Sequence, residues 1–341
     1  MKGSVLLFGG SSDEKLVSVA TAQNLASRFI FEELLFMDVS GAISKVAQAE
    51  LLAHQRPFEV QFKPSQKPFL SSVQESVSHL HGKTVFLGLH GTEGEDGTIQ
   101  ALLEKSKIAF TGSGAQASRL CFDKIKTKER VSTVGVPLAP QLLIHKKEPQ
   151  EIAKTLTVFY NQQGPLVVKP VSSGSSFGLH ILKSSDRIHE TAIAIAQSPY
   201  DCFMAEKLIE GRELTVGVLV LNGSLHALPP SEVVTEKGHA FDYLGKYLGK
   251  GTKEITPAQL TPTEKFAAQK TALDAHKALG CYGYTRTDMI LTDSGPVFLE
   301  TNTLPGLSKA SFIPQQLEAD GIPMSIFVEE QLTLAQKRNK I

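Results

Sequence analysis

The sequence predicts a mixed α/β and α+β protein, and three stretches of it carry that prediction. The apolar run 4–8 leads through Gly9-Gly10-Ser11-Ser12-Asp13-Glu14 into a helical pattern, and the run 84–89 leads through a second glycine-rich loop into another. Short apolar runs followed by helical periodicity read as buried strands of βα units. Farther on, runs at 287–291 and 296–299 flank Thr292-Asp293-Ser294-Gly295. The Asp and Gly there suit a tight turn, so this stretch reads as an antiparallel hairpin.

Bulk composition narrows the function. The chain has 341 residues, 41% of them apolar, with 35 basic and 35 acidic side chains. That length leaves room for two or three domains. The neutral balance lacks the basic excess of a nucleic-acid binder and points to a small-molecule partner. Cys121, Cys202 and Cys281 are widely spaced and odd in number. Neither a disulfide framework nor a zinc site is expected, and a reducing cytoplasm is the implied compartment. The amino-terminal apolar run meets glycines and acids too early for a signal peptide, and no apolar run approaches membrane-spanning length.

Taken in order, the first loop lacks GxGxxG and puts acids where a pyrophosphate needs bare amides. Glu14 either receives a substrate ammonium or, with Asp13, only favours the start of the helix. The second loop, from His90 through Glu93, Glu95 and Asp96, lies at a strand's carboxyl end, where open α/β sheets bind ligands, and a helix starts near Thr98. His90 suits a structural hydrogen bond as well as a catalytic role. A linker at 113–117 precedes a helix expected over 118–134, whose Lys124, Lys126 and Lys128 form a solvated face or point at phosphate. Pro137 and Pro140 close it.

The strand 165–170 ends in Lys169-Pro170, and a Ser/Gly loop at 171–178 leads to a returning strand at 179–182. This is either a flap whose amides and hydroxyls cover phosphates or a plain flexible hairpin tip. It is no P-loop, since GxxxxGK[ST] is absent. A strand edge at Glu206, Lys207 and Leu208 can offer hydrogen-bonding groups to an adenine, and Glu213 can take ribose hydroxyls. The stretch 232–257 is long, charged and aperiodic, as an active-site lid is. Thr261, Pro262 and Glu264 spell a capping box for an amphipathic helix reaching 279, and a last helix over 324–337 is expected to pack as a cover.

In the hairpin, a three-residue loop with Thr292 opposite Pro296 sets Asp288 against Glu300 and Arg286 against Asn302, all on one face. Facing carboxylates repel unless a cation lies between them, and an oxygen-only donor set suits Mg²⁺ or Mn²⁺. A two-residue loop would shift the register and put Asp288 opposite Thr301. A surface hairpin with charges on its wet face is the other reading.

In order, and over nearly the whole chain, seven blocks resemble the D-alanine:D-alanine ligases of the ATP-grasp superfamily: GGSSDEKLVS, LHGTEGEDGTIQ, FTGSGAQASRLCFDKIKTK, VVKPVSSGSSFG, AEKLIEGRELTVGVL, FDYLGKY and TRTDMILTDSGPVFLETNTLPGLSKASFIP. The resemblance implies an ATP-grasp fold with a Rossmann-like amino-terminal α/β domain. It divides the chain into a substrate-binding domain (1–117), a central lobe with the phosphate flap (118–202) and a carboxy-terminal lobe with lid and metal site (203–341). It further implies that ATP drives the joining of two D-alanines through an acyl phosphate, for a peptidoglycan precursor. Two Mg²⁺ or Mn²⁺ ions are implied, and a homodimer is the usual family state.

By matched motif, Lys124 and Lys169 meet ATP phosphates, with Lys246 and the flap's Ser176 near them. Glu206, Lys207 and Leu208 meet the adenine edge and Glu213 the ribose, while Asp288, Glu300 and Asn302 hold metal. Arg286 and the Gly306 amide serve the developing oxyanion. Glu14 fixes the ammonium of the first D-alanine, His90 and Ser311 join it in binding substrate, and Ser175 and Tyr247 orient substrates and lid. Two departures stand out: Ser172-Ser173 replace the family's usual Arg-Glu in the flap, and Leu244 replaces a common Glu in the lid. Lys246-Tyr247 are kept. Depsipeptide-forming relatives tend to lack this Tyr, which favours an amine acceptor. The alternatives are a related ligase that uses D-lactate, D-serine or another acceptor, and a non-catalytic nucleotide-binding protein with a decayed site.

Overall fold

The structure, a computed structural model, describes residues 2–172, 178–235 and 252–338. Three sheets organise these residues. The first runs Ile43–Val46, Glu33–Met37, Ser4–Gly9, Thr84–Leu87, Ala109–Phe110, and is parallel except for the antiparallel edge strand Ile43–Val46. Every residue of Ser4–Gly9 is buried, as a parallel strand covered on both faces must be. Gly9 ends it at φ +102°, where a Cβ would lie 2.1 Å from the Met37 carbonyl oxygen, so only glycine lets the chain leave the sheet here. The helix Met324–Arg338 is the expected cover, and the sheet it covers is this one: Phe327, Val328 and Leu332 share a core with Val5, Leu7 and Phe86.

The second sheet is antiparallel, in the order Gln141–His145, Cys202–Lys207, Leu166–Pro170, His180–Leu182. Helices Pro149–Gln163 and Ile188–Gln197 bury Ile152, Leu156 and Ile195 against it. Cys202–Lys207 is therefore an interior strand and not the edge expected from sequence. Neighbours on both sides take its hydrogen bonds, and the Leu208 N–H donates to the Pro165 carbonyl at 2.8 Å.

The third sheet runs Thr252–Ile255, Ser231–Thr235, Arg212–Leu221, Tyr284–Thr292, Gly295–Asn302, with Ser224–Ala227 also paired to Arg212–Leu221. The two ends of the stretch 232–257 are thus strands, which pairing with each other and with Arg212–Leu221 imposes on an aperiodic sequence. Helix Pro262–Ala278 packs on this sheet and opens with the capping box read from the sequence. Thr261 Oγ1 accepts the Glu264 N–H at 3.3 Å, and the Glu264 carboxylate takes the Thr261 N–H at 2.7 Å.

One helix is cut in two. In place of 118–134 there are Ala115–Phe122 and Lys124–Ser132, separated by Asp123 in an extended conformation (φ −92°, ψ 102°). The Asp123 carboxylate accepts the Lys126 N–H at 3.1 Å, an N-cap that starts a new helix.

The hairpin also departs from expectation. Its ladder closes with Thr292 opposite Gly295, so the link is two residues long and not three. Met289 then faces Phe298, and the next pair is Asp288 with Glu300, which leaves Leu299 as a β-bulge. The extra residue restores the register that the shorter turn had shifted. Asp288 faces Glu300 and Arg286 faces Asn302. Among the described residues no helix is long and apolar enough to cross a membrane.

Candidate active site

The hairpin face and the loops at the carboxyl end of the first sheet enclose one cavity, lined among others by Glu14, Glu95, Lys124, Arg286, Glu300 and Ser311. Asp288, on the same strand as the lining residue Arg286, stands inside a shell of donors. Arg286 Nε and Nη2 donate to its two oxygens at 2.9 and 2.8 Å, Thr215 Oγ1 donates at 2.5 Å, and Asn302 Nδ2 at 3.3 Å. Lys124 Nζ lies 3.9 Å from Glu300 Oε2. The Asp288 and Glu300 side chains are only 15% and 28% exposed, which rules out the wet-hairpin reading. Thr215 was not singled out in the sequence, although it sits directly opposite Asp288 on the neighbouring strand.

Asp288, Glu300 and Asn302 supply oxygen donors from facing strands, the kind of set a hard divalent ion takes. Among the described residues no group of three or more His, Cys, Asp or Glu side chains could hold a metal. A metal here therefore needs further oxygens from a substrate, as magnesium sites beside phosphates do.

The three helix lysines part company. Lys126 is exposed, whereas Lys124 and Lys128 are buried. Lys128 Nζ donates to Glu206 Oε1, and Lys169 Nζ lies 2.8 Å from Glu206 Oε2. Burial pushes the Glu206 carboxyl up, but Lys169 and Lys128 outweigh it and hold it below the usual carboxylate range. The Glu206 side chain thus faces two ammoniums. Glu213 sits on the adjacent sheet, opposite Ile290.

His90 has both ring nitrogens engaged by the protein. Nδ1 lies 2.8 Å from the Leu304 carbonyl, which can only accept, so Nδ1 carries the proton and Nε2 accepts from Thr21 Oγ1 at 2.8 Å. Burial lowers the imidazole pKa, against the pull of Glu14, and keeps the ring neutral. Thr21 Oγ1 in turn accepts the Leu307 N–H at 3.2 Å, and Asn24 Nδ2 donates to the Leu307 carbonyl at 2.7 Å. The loop through Pro305-Gly306 is therefore pinned to the helix Lys15–Arg28 and to His90. A Cβ on Gly306 would come within 2.7 Å of Ser311 Oγ, which shares a 2.8 Å hydrogen bond with Ser308 Oγ.

Glu14 stands at the N-cap position of the helix Lys15–Arg28 without a side-chain cap hydrogen bond, so what it gives the helix start is electrostatic. Its carboxylate lies against Gly91, where a Cβ would sit 3.1 Å from Oε2. Two acids in the cavity were given no role from sequence. Glu95 accepts the Gly91 N–H at 3.0 Å, and burial first, then the Glu14 charge, push its carboxyl up to about 8. Glu254 accepts from Gln315 Nε2 at 2.6 Å, and burial raises its pKa. An acid inside a glycine-rich loop is a signal for Glu95; Glu254 was hidden in an aperiodic stretch. Ser175, Ser176, Lys246 and Tyr247, with Ser173 and Leu244 of the two departures, lie outside the described residues.

Family models described as D-ala D-ala ligase N-terminus and D-ala D-ala ligase C-terminus match residues 4–113 and 131–333. The D-alanine--D-alanine ligase of Leptospira interrogans is 34% identical over 98% of each chain. That of Syntrophobacter fumaroxidans is 40% identical over 72% of this chain and 78% of its own. Among solved structures, the VanG D-Ala:D-Ser ligase from Enterococcus faecalis superposes with a TM-score of 0.82 at 29% identity, over 97% of this chain and 98% of that one. The D-alanine-D-alanine ligase from Coxiella burnetii does so with a TM-score of 0.78 at 27% identity, over 99% and 94%. These likenesses carry the expected ATP-grasp fold. Matched in both halves and along nearly all of a relative's length, the chain belongs to the D-alanine--D-alanine ligase family.

Proposed function

We propose that the protein joins two D-alanines into D-alanyl-D-alanine, converting ATP to ADP and phosphate by way of an acyl phosphate. The observation that carries this reading is the hairpin face, where two facing carboxylates, Asp288 and Glu300, stand with Arg286 and Lys124 beside an acid-lined cavity.

A carboxylate is a poor electrophile until one of its oxygens belongs to a phosphate leaving group. The carboxylate of the first D-alanine attacks the γ-phosphorus and ADP departs. The amine of the second then attacks the activated carbonyl carbon, phosphate departs, and the nitrogen loses a proton. Phosphoryl transfer of this kind is served by positioning and positive charge more than by a protein nucleophile. Lys124 and Lys169 supply that charge, and Glu206 reaches the phosphates only through Lys169. Glu206, Lys207 and Leu208 receive the adenine edge and Glu213 the ribose. Asp288, Glu300 and Asn302 would hold two Mg²⁺ or Mn²⁺ ions, which when bound neutralise phosphate charge and polarise phosphoryl oxygens.

Glu14 takes the ammonium of the first D-alanine and Ser311 orients the second. Arg286 and the Gly306 N–H stabilise the oxyanion that forms when the amine attacks. The Gly306 loop is held in advance by His90, Thr21 and Asn24, and donors fixed beforehand need no reorganisation during the reaction. His90 thus serves substrate binding by holding that loop. Ser175, Ser176, Lys246 and Tyr247 enter through the flap and lid motifs. The division into 1–117, 118–202 and 203–341 is supported by the family resemblance; Cys202–Lys207 pairs within the second sheet, Cys121 and Val131 share a core with Ala275 and Phe298 of the third unit, and Met324–Arg338 covers the first sheet. The homodimer and the reducing cytoplasm are supported by family resemblance and composition.

The test is product identification by mass spectrometry after incubation with ATP, Mg²⁺ and a panel of D-alanine, D-serine and D-lactate. D-alanyl-D-alanine with matching ADP release is the expected result. Turnover with D-lactate or D-serine but not D-alanine would overturn the acceptor, and no ADP release with any acceptor would overturn catalysis itself.

A further inference from the structure

Lys128 has no part in the reading above, yet its side chain is 0% exposed. An ammonium so far from water persists only beside close acceptors. Lys128 has two, the Glu206 carboxylate and the Phe298 carbonyl at 3.4 Å. It thereby ties the helix Lys124–Ser132 to the second sheet and to the hairpin. Glu206 uses its other oxygen on Lys169, and side-chain exposure rises along the row from 0% at Lys128 through 4% at Glu206 to 14% at Lys169. Two ammoniums share one carboxylate, so the trio carries net positive charge and Lys169 is its open end.

We propose that Lys128 is a positioning residue for the ligase: by occupying Glu206 Oε1 it leaves only Oε2 for Lys169, which so keeps charge and reach for the polyphosphate of ATP. The proposal rests on the reading that Lys169 meets ATP phosphates. Without Lys128, Glu206 can turn both oxygens onto Lys169, the pair becomes neutral, and the site loses one unit of positive charge where few water molecules screen it. Helical spacing fits the assignment. Lys124 and Lys128 are four residues apart and share one helix face, while Lys126 lies off it.

The test compares Lys128→Met, Lys128→Arg, Lys169→Met and the double variant Lys128→Met/Lys169→Met in the full chain. The readouts are kcat, KM for ATP and KM for D-alanine. Lys128→Met should raise KM for ATP about tenfold and move KM for D-alanine less than about twofold, the loss of one charge-assisted hydrogen bond aimed at the nucleotide. Lys128→Arg should recover most of the difference, and in the Lys169→Met background Lys128→Met should add less than about twofold, because both act through one contact. An unchanged KM for ATP in Lys128→Met, or its full effect persisting without Lys169, overturns the proposal and leaves the Lys169 reading standing. An unchanged KM in Lys169→Met overturns both. If Lys128→Met does not fold, Lys128→Leu carries the test, since it offers Glu206 neither donor nor charge; a normal KM for ATP there overturns the proposal.

Discussion

Glu95 gives the structure a pH dependence that can be worked out in sign and size. Burial first, then the Glu14 charge with a smaller push from Glu300, raise its carboxyl from an ordinary 4.5 to about 8, against the Gly91 amide and Arg286. The folded protein therefore keeps a proton that the unfolded chain has already released. The stability linked to that proton is fully present below pH 4.5. It falls by about 1.4 kcal/mol for each pH unit above that and is gone once the pH passes the folded value. The whole shift corresponds to about 4–5 kcal/mol, and local relaxation with entry of water reduces the expectation to about 3 kcal/mol. Glu95→Gln keeps an acceptor for the Gly91 N–H but cannot ionise. Guanidinium unfolding of metal-free, nucleotide-free protein at about pH 5 and about pH 8.5 should show the wild type losing about 3 kcal/mol relative to Glu95→Gln. Parallel curves for the two proteins would refute the reasoning.

Gly306→Ala places a Cβ 2.7 Å from Ser311 Oγ; the displaced loop should lower kcat by about 10–100-fold with little change in melting temperature, and an unchanged kcat would sink the role given to this amide. Thr261→Ala removes the side-chain half of the capping box that opens Pro262–Ala278 and leaves the Thr261 backbone N–H to Glu264. It should lower unfolding free energy by about 1 kcal/mol in denaturant titrations and leave kcat alone, and undiminished stability would show that the cap contributes nothing.

Local chemistry made much of this fold legible. The capping box, the two βα units and the hairpin rest on short-range rules of spacing and turn residues, and each is present. What the sequence hid was set by contacts between distant segments. Asp123 cuts in two what reads as one helix, a single extended residue being enough to end one and cap the next. Cys202–Lys207 reads as an edge until its two partners, Gln141–His145 and Leu166–Pro170, are known. In the hairpin, the turn is one residue shorter than expected and Leu299 supplies one residue more, so the predicted facing pairs survive a mistaken loop.

The same distinction governs the site. Its charges are plain in the sequence, and Arg286 meets Asp288 two residues along one strand, but the other pairings join residues far apart: Lys124 with Glu300, and Lys128 and Lys169 with Glu206. A carboxylate or ammonium removed from water must be compensated by a partner, and removing one partner costs more than the pair itself contributes. The acids that the proposed reading gives to metal are therefore already met by Arg286 and Lys124, and Lys169, which it gives to phosphate, is already met by Glu206. On that reading, metal and nucleotide would enter by exchange of partners and not by the burial of bare charge: a cation would take the place of guanidinium and ammonium at the hairpin, and phosphate that of carboxylate at the lysines. Such an exchange works only if each protein partner can let go, and that is where Lys128 matters. A Glu206 held from behind by a fully buried lysine keeps a weaker hold on Lys169 than a Glu206 left with Lys169 alone.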